Sequence, residues 1–231
     1  MRPRFRFVRP LLLALSVLVT AGFAQEVQRH GIVFEAWVRE TFFGGYKPQT
    51  YTQKWDIPPE ANQEHGAIAV NPKAAKYGTA VDLGDALRQF DIGEPFILVI
   101  GYWRQEGDRK RFVKIVAPRI EPAQWRSLWG PVTRADLEQL DAVIKDRSLS
   151  PEQARAAARK MKSRPPFTEA VFVLNPKIDS KSQRRLQCSL RFSDVFARLL
   201  PDADRSPDEQ PALWGVPFEH TIPSKPRTYN P

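Results

Sequence analysis

Cysteine and histidine are scarce in this sequence of 231 residues, and their scarcity excludes several classes of site. Cys188 is the single cysteine, so no disulfide can form within the chain. The apolar, alternating run around Cys188 favours a buried, inert thiol over a nucleophile. The three histidines, His30, His65 and His220, are too scattered for the ligand spacing of a zinc site. A metal site would therefore need oxygen ligands, which magnesium, manganese and calcium prefer.

Several motifs of hydrolytic enzymes are also missing. The sequence has no G-x-S-x-G elbow, no H-E-x-x-H pair and no glycine-rich phosphate loop. These absences disfavour serine hydrolases, zinc peptidases and nucleotide-binding enzymes.

Only one long apolar run is present, and it lies at the N-terminus. Residues 1–10 are basic, residues 11–24 are apolar but short for a bilayer span, and Gly22 and Ala24 are small. This pattern predicts a signal peptide over residues 1–24, cleaved after Ala24. The mature chain is then expected to be periplasmic or secreted, with no stable membrane span.

The positive charge is modest once this segment is set aside. The full sequence has a formal charge of +9, and four arginines lie in residues 1–24. The remaining 31 basic and 26 acidic residues allow contact with a polyanion but do not require it.

The apolar periodicity in residues 25–120 predicts a mixed sheet preceded by a helix. Gly44 and Gly45 end the first helix, and Pro58-Pro59 ends the first extended stretch. The predicted elements are a helix over 26–43, strands within 46–57, a strand over 67–76, a helix over 79–90, a buried strand over 95–103 and a hairpin partner over 112–120.

The second half is predicted to be helical, followed by a strand pair. Capping patterns begin helices at Thr133 and Ser150. The predicted elements are helices over 124–129, 133–145, 151–163 and 193–200, and strands over 169–178 and 184–192. We expect an α/β fold with a mixed central sheet of roughly five strands flanked by helices. A single domain would cover 25–200, with a core over about 26–120, a helical plus β-hairpin extension over 121–200, and an irregular tail over 201–231.

The stretch from Lys54 to Phe90 contains the most informative polar residues. A turn near 62–66 would return the chain and bring Asp56 close to Lys73. A carboxylate and an ammonium on adjacent strands indicate either a metal site with water activation or a cross-strand ion pair.

The order of these residues resembles the restriction-endonuclease-like superfamily of PD-(D/E)XK nucleases. The similarity covers about residues 26–117 and rests on Glu35 in GIVFE, Asp56 in KWDIP, and Asn71 and Lys73 in AVNPK. Asn71 stands where the family has an acid, and Trp55 stands where it has proline. The loss of one negative charge at Asn71 should weaken metal binding.

The resemblance implies metal-dependent hydrolysis of DNA. Asp56, Asn71 and Glu35 would be ligands of Mg²⁺ or Mn²⁺, and Lys73 would orient water and steady the phosphate. Asp56, Lys73 and Glu35 would be the catalytic residues.

Rival interpretations stay open. Acid-x-Lys patterns also occur at Asp108 to Lys110 and Asp179 to Lys181, in predicted loop tips, and Asn-Pro-Lys recurs at 175–177. The chain could instead be a non-catalytic exported binding protein on a degenerate nuclease-like scaffold. Its partner groove would be lined by aromatic residues, namely Tyr102, Trp125, Trp129, Phe192 and Trp214. The basic face of the predicted helix over 151–163 indicates a solvated surface, or alternatively one that faces phosphates.

Overall fold

The computed structural model describes residues 16–48, 54–179 and 183–224, with side chains in the first helix described from Arg29 onward. The helices are α1 (Ser16–Phe42), α2 (Ala86–Phe90), α3 (Pro122–Ser127), α4 (Arg134–Lys145), α5 (Pro151–Lys162) and α6 (Phe192–Asp194), which continues as a π-helical turn, Val195–Leu199. The strands are β1 (Ala69–Lys76), β2 (Val81–Asp85), β3 (Phe96–Glu106), β4 (Arg109–Val116), β5 (Arg119–Ile120), β6 (Val173–Ile178), β7 (Arg184–Leu190), β8 (Ala212–Leu213), β9 (Val216–Pro217) and β10 (Thr221–Pro223).

The central sheet is mixed and has five strands, in the order β1-β3-β4-β10 with β5 beside β3. β1 runs parallel to β3, whereas β4, β5 and β10 pair antiparallel with their neighbours. Helix α1 contacts β1 and β10. The predicted mixed α/β fold, with a central sheet flanked by helices, is confirmed at this level.

The extension contains the predicted helices and hairpin. Strands β6 and β7 pair antiparallel, and β2 joins them in a separate three-stranded sheet of order β2-β7-β6. Helix α4 packs on β7, and α5 packs on β6. The predicted helix starts are confirmed, and Thr133 and Ser150 each form a capping box, at α4 and α5 respectively.

Strand β3 is buried on both faces, as its continuous apolar run predicts. Phe96 and Leu98 enter a core that includes Trp125, whereas Ile97 enters a second core beneath α1, where Phe34 is fully buried. Successive residues of a strand point to opposite faces, so one strand supplies both cores.

The predicted helix over 79–90 is wrong in its first half. Val81 and Leu83 are buried and alternate with exposed Asp82, so this segment forms β2 and pairs with β7. Gly84 has a φ of +83°, and the register with β7 shifts beside it. Asp85 then caps α2 by accepting from the backbone N–H of Arg88.

The predicted irregular tail contains three short strands between residues 212 and 223. Phe218 and Ile222 are almost completely buried, and β10 pairs with β4. The Pro-rich and Asp-rich composition conceals these few apolar positions. Residues 225–231 of the predicted tail lie outside the described residues.

Helix α1 ends at Phe42, before Gly44 and Gly45, whose φ values are +56° and +73°. Residues 1–15 lie outside the described residues, and cleavage after Ala24 stays a prediction. Within the described residues, no helix combines the length and apolar character needed to cross a bilayer.

We expect stability to depend on pH through His30 of α1. Lys110 Nζ lies 3.0 Å from His30 Nδ1, and burial, followed by this positive charge, lowers the pKa of His30 to about 4. In the unfolded chain His30 takes up its proton near pH 6.5, whereas in the folded chain it does so only near pH 4. The free energy of unfolding should therefore have its full value above pH 6.5 and decrease as the pH falls to about 4. Because His30 is partly exposed, the loss should be about 1–2 kcal/mol.

Urea unfolding at a series of pH values measures this dependence. In His30→Gln the amide oxygen still accepts from Lys110, and the free energy of unfolding should no longer change between pH 4 and 6.5. An unchanged slope in His30→Gln would show that another group titrates.

Candidate active site

Lys73 is the centre of the polar cluster that the sequence predicts. Its ammonium donates to Asp56 Oδ2 at 2.7 Å, to the Pro72 carbonyl at 3.0 Å and to Asn71 Oδ1. Asn71 and Lys73 are two residues apart on β1, so both side chains lie on the same face of the strand. Asn71 is buried, and the lysine side chain is 22 % exposed.

Asp56 lies beside the free edge of β1. The predicted strand ending at Asp56 reduces, within residues 54–58, to one antiparallel bridge between Ile57 and Val70. Residues 49–53 of that predicted strand lie outside the described residues. Because so few backbone hydrogen bonds fix this segment, its side chains must determine where Asp56 lies.

The two neighbours of Asp56 are buried in different cores. Trp55 is 5 % exposed and packs on Phe96, with ring centroids 5.1 Å apart. Ile57 is fully buried in the core beneath α1. The chain therefore passes from one core to the other at Asp56 and leaves that carboxylate at the rim.

Glu94, in the loop before β3, fixes the position of Trp55. Its Oε1 accepts from Trp55 Nε1 at 2.6 Å and from Lys54 Nζ at 2.8 Å. Hydrogen bonds from Lys54 and then Trp55 lower the pKa of Glu94, so this carboxylate is ionised at neutral pH. Sequence reasoning missed Glu94, because the contact joins residues 39 positions apart and no motif marks it.

Truncation of Glu94 should loosen the segment that carries Asp56. In Glu94→Ala the nearly buried Trp55 N–H loses its acceptor, which should cost about 1–3 kcal/mol. Hydrogen exchange of the Ile57 amide, which donates to Val70 at 3.1 Å, is the local measurement and should accelerate. Glu94→Gln keeps an acceptor for Trp55, so in that variant the Ile57 amide should exchange at the wild-type rate. Equal acceleration in both variants would contradict this role of the acceptor.

Glu35, on α1, completes the predicted set. Burial raises the pKa of Glu35, the negative charge of Asp56 raises it further, and Lys73 and Arg39 oppose the increase. A hydrogen bond with Asp56 also favours the protonated form of Glu35. Residues from α1, from the segment before β1 and from β1 itself therefore interact at one place.

Arg39 is a second cation that sequence reasoning missed. Its Nη1 lies 3.9 Å from Glu35 Oε2, and the two residues are separated by one helical turn. The i, i+4 spacing of Glu35 and Arg39 was the available signal. The cluster thus contains two carboxyl groups and two cations.

The cluster is reachable from solvent. The side chains of Glu35 and Asp56 are 29 % and 31 % exposed, so neither is sealed in the core. Partial burial strengthens the interaction of these charges with each other and with a charged ligand.

The donor atoms suit a hard cation. The side chains of Glu35, Asp56 and Asn71 offer only oxygen ligands, and Mg²⁺ commonly binds one or two carboxylates and keeps several waters. Among the described residues there is no cluster of three or more Asp, Glu, His or Cys side chains that could hold a metal ion. A cation here would depend on two carboxylates, the Asn71 oxygen and water.

Of the rival acid-x-Lys motifs, only the one at Asp108 to Lys110 lies wholly within the described residues. Lys110 is buried against Trp103, 4.3 Å from the ring centroid, and contacts His30. Lys181 lies outside the described residues. The second Asn-Pro-Lys lies on the edge strand β6, where Asn175 donates to Ser189 Oγ at 2.9 Å. Edge strands tolerate proline, which explains both copies without a repeat.

The proposed aromatic groove is wrong for three of its five residues. Tyr102, Trp125 and Trp129 are at most 1 % exposed and belong to one hydrophobic core. Phe192 packs on Tyr102, and Trp214 stacks on His65 with ring centroids 3.7 Å apart. Core packing therefore accounts for most of these rings.

Comparison of the chain with protein-family models, with curated proteins and with solved structures finds no match. The candidate site is therefore interpreted from its own geometry.

Proposed function

We propose that the protein is a metal-dependent nuclease that hydrolyses phosphodiester bonds of DNA, on a fold related to the restriction-endonuclease-like nucleases. The observation that carries the proposal is the contact of Lys73 with Asp56 and Asn71, together with the interaction of Asp56 with Glu35. These four residues span 39 positions of the sequence. Their proximity is expected for a site of this class.

The order of secondary structure is also compatible with that class. A helix carrying Glu35 precedes the Asp56 segment, which runs antiparallel to β1 at Ile57. The short helix α2 then leads towards β3, which pairs parallel with β1. The added strand β2 is the difference from the arrangement that the resemblance implies.

Each side chain has a separate task in the proposed reaction. A bound Mg²⁺ or Mn²⁺ would polarise the phosphate and lower the pKa of water. Asp56 and Glu35 would hold the cation as ligands, and Asn71 would add a neutral oxygen. Lys73 would leave its contact with Asp56, orient the attacking water and steady the negative charge that grows on the phosphate.

The proposed location follows from the N-terminal sequence. A signal peptide over residues 1–24 would export the mature chain to the periplasm or the exterior. DNA that enters the cell envelope is then the proposed substrate, and a sequence-specific restriction role is disfavoured.

One observation favours a second candidate, a non-catalytic binding protein on a degenerate nuclease-like scaffold. The Lys73 ammonium already contacts the Asp56 carboxylate, the Asn71 amide oxygen and the Pro72 carbonyl. A cluster satisfied in this way is also expected if the residues form only a structural ion pair.

A cleavage assay separates the two candidates. Purified protein covering residues 25–231 would be incubated with plasmid and with single-stranded DNA in Mg²⁺, Mn²⁺ or EDTA. The nuclease proposal predicts cleavage in metal, none in EDTA, and none with folded Asp56→Ala or Lys73→Ala. Intact DNA after incubation with folded wild-type protein in either metal would favour the binding protein.

A further inference from the structure

The net positive charge of the mature chain is concentrated in one segment. Residues 151–190 contain nine Lys or Arg and three Asp or Glu, whereas residues 25–150 and 191–231 together contain 22 basic and 23 acidic residues. This segment comprises α5 and the β6–β7 hairpin. An uneven distribution of this kind produces a local positive potential even when the mean charge is modest.

The basic residues are placed together by the packing of α5 along β6. Lys162 Nζ donates to the Leu174 carbonyl at 2.7 Å, near the start of β6, and Arg155 Nε donates to the Ile178 carbonyl at 3.1 Å, at its end. Helix and strand therefore run in opposite directions, with Arg159 between these two contacts in sequence. Burial, and then the nearby positive charge of Arg159, lowers the pKa of Lys162.

Three of the basic residues in and just after α5 form no ion pair within the described residues. Arg159, Lys160 and Arg164 are exposed, and none takes part in an ion pair in the described part of the chain. The opposite side of α5, with Ala154 and Ala158, is fully buried in the protein. α5 is thus anchored to the fold while Arg159, Lys160 and, just beyond its end, Arg164 face solvent.

A depression lies next to these cations. It has a volume of about 390 Å³ between α4 and α5, and its lining includes Lys160, Arg164, Gln139, Met161 and Phe167. Asp136 also lines it, with its carboxylate accepting from the backbone N–H and the hydroxyl of Thr133. Cations at a rim with an amide and apolar side chains beside them suit a ligand that has both phosphates and flat apolar groups. A single nucleic-acid strand has this composition, because its bases are not paired.

We infer that the face formed by Arg155, Arg159, Lys160, Lys162, Arg164 and Lys177 binds single-stranded nucleic acid through its phosphates. This site, the α5 basic face, goes beyond the proposed cleavage reaction, since it needs neither a metal ion nor Lys73. A lipid surface is disfavoured as the partner. Among the described residues of 151–190, no large hydrophobic side chain is exposed that could enter a bilayer.

Fluorescence anisotropy with a labelled oligothymidine in EDTA tests the inference without cleavage. Binding should weaken as salt increases, with a slope of about −0.7 in log K against log salt for each phosphate contacted. The variant Arg159→Gln/Lys160→Gln/Arg164→Gln should bind about tenfold or more weakly at moderate salt, with a slope smaller in magnitude by about 2.

A matched control removes the same charge elsewhere. Arg88→Gln/Arg198→Gln/Arg205→Gln replaces three exposed residues outside the segment and should bind like wild type. Equal weakening by both triple variants would overturn the inference, because only net charge would then matter. Unchanged binding by the α5 variant would overturn it as well.

Two further ligands test the kind of partner. Inorganic polyphosphate or vesicles rich in anionic lipid should bind more weakly than the oligothymidine at equal charge, and equal or tighter binding of either would overturn the assignment to nucleic acid. The cleavage proposal is judged separately. If wild-type protein cleaves DNA and the α5 variant binds oligothymidine as tightly as wild type, only the α5 basic face is contradicted. If wild-type protein binds DNA in EDTA but does not cleave it in the presence of metal, only the nuclease proposal is contradicted.

Discussion

Under the nuclease proposal, Lys73→Met is expected to reduce metal-dependent DNA cleavage by about 10²- to 10³-fold. The ammonium of Lys73 lies 2.7 Å from Asp56 and is the residue best placed to stabilise charge on a phosphate at this edge. Its removal should also raise the pKa of Glu35 further, since Lys73 opposes that increase. Initial rates on supercoiled plasmid, measured across pH, would report both effects.

Lys76→Met is the matched control for that experiment. Lys76 lies three residues beyond Lys73 on the same strand, so its side chain points to the opposite face, and it is exposed. The Lys76→Met variant should cleave DNA at the wild-type rate. If Lys73→Met is folded and cleaves as fast as Lys76→Met, Lys73 has no catalytic role.

Gly101→Ala should destabilise the protein by about 2–3 kcal/mol, although it adds only a methyl group. A Cβ at Gly101 would lie 2.6 Å from a ring carbon of Phe112 and 2.7 Å from one of Phe34. These two rings stack with centroids 5.0 Å apart and seat α1 on the central sheet. Because Phe34 precedes Glu35, the displacement should also lower the rate of DNA cleavage. Urea unfolding measures the stability.

Gly31→Ala serves as the control, because it is also a glycine-to-alanine change but lies in α1. A Cβ at Gly31 would have no neighbour within 4 Å, so the substitution should be stabilising by about 0.5–1 kcal/mol. A loss of stability in Gly101→Ala no larger than about 0.5 kcal/mol would show that α1 is not closely packed on β3. Recovery of part of the stability in Gly101→Ala/Phe34→Leu would identify the clash as the cause.

The long elements could be predicted because their patterns are local. The apolar run of β3, the capping residues Thr133 and Ser150, and the turn that brings Lys73 back to Asp56 all depend on neighbouring residues. The proximity of Glu35 could not be derived from periodicity and was expected only from the family resemblance.

The features that the sequence analysis predicted wrongly or missed have physical causes that hydrophobic periodicity does not reveal. Val81 and Leu83 fit one face of a helix or of a strand, and only pairing with the distant β7 decides in favour of the strand. Strand β10 has three residues, of which Ile222 is the buried one, and it depends on β4 for its hydrogen bonds. Glu94 acts through a contact with Trp55 that only the tertiary fold creates. Such features require knowledge of which segments meet.

Direct measurement of Mn²⁺ binding tests the central claim, that Glu35, Asp56 and Asn71 form a divalent-cation site. Electron paramagnetic resonance of free Mn²⁺ during titration should show one saturable site per wild-type chain. Asp56→Asn should bind about 10- to 100-fold more weakly, and Asn71→Asp, which adds a carboxylate, should bind more tightly. Absence of saturable binding by folded wild-type protein at millimolar Mn²⁺, with no gain in Asn71→Asp, would contradict the account and leave the cluster as a structural ion pair.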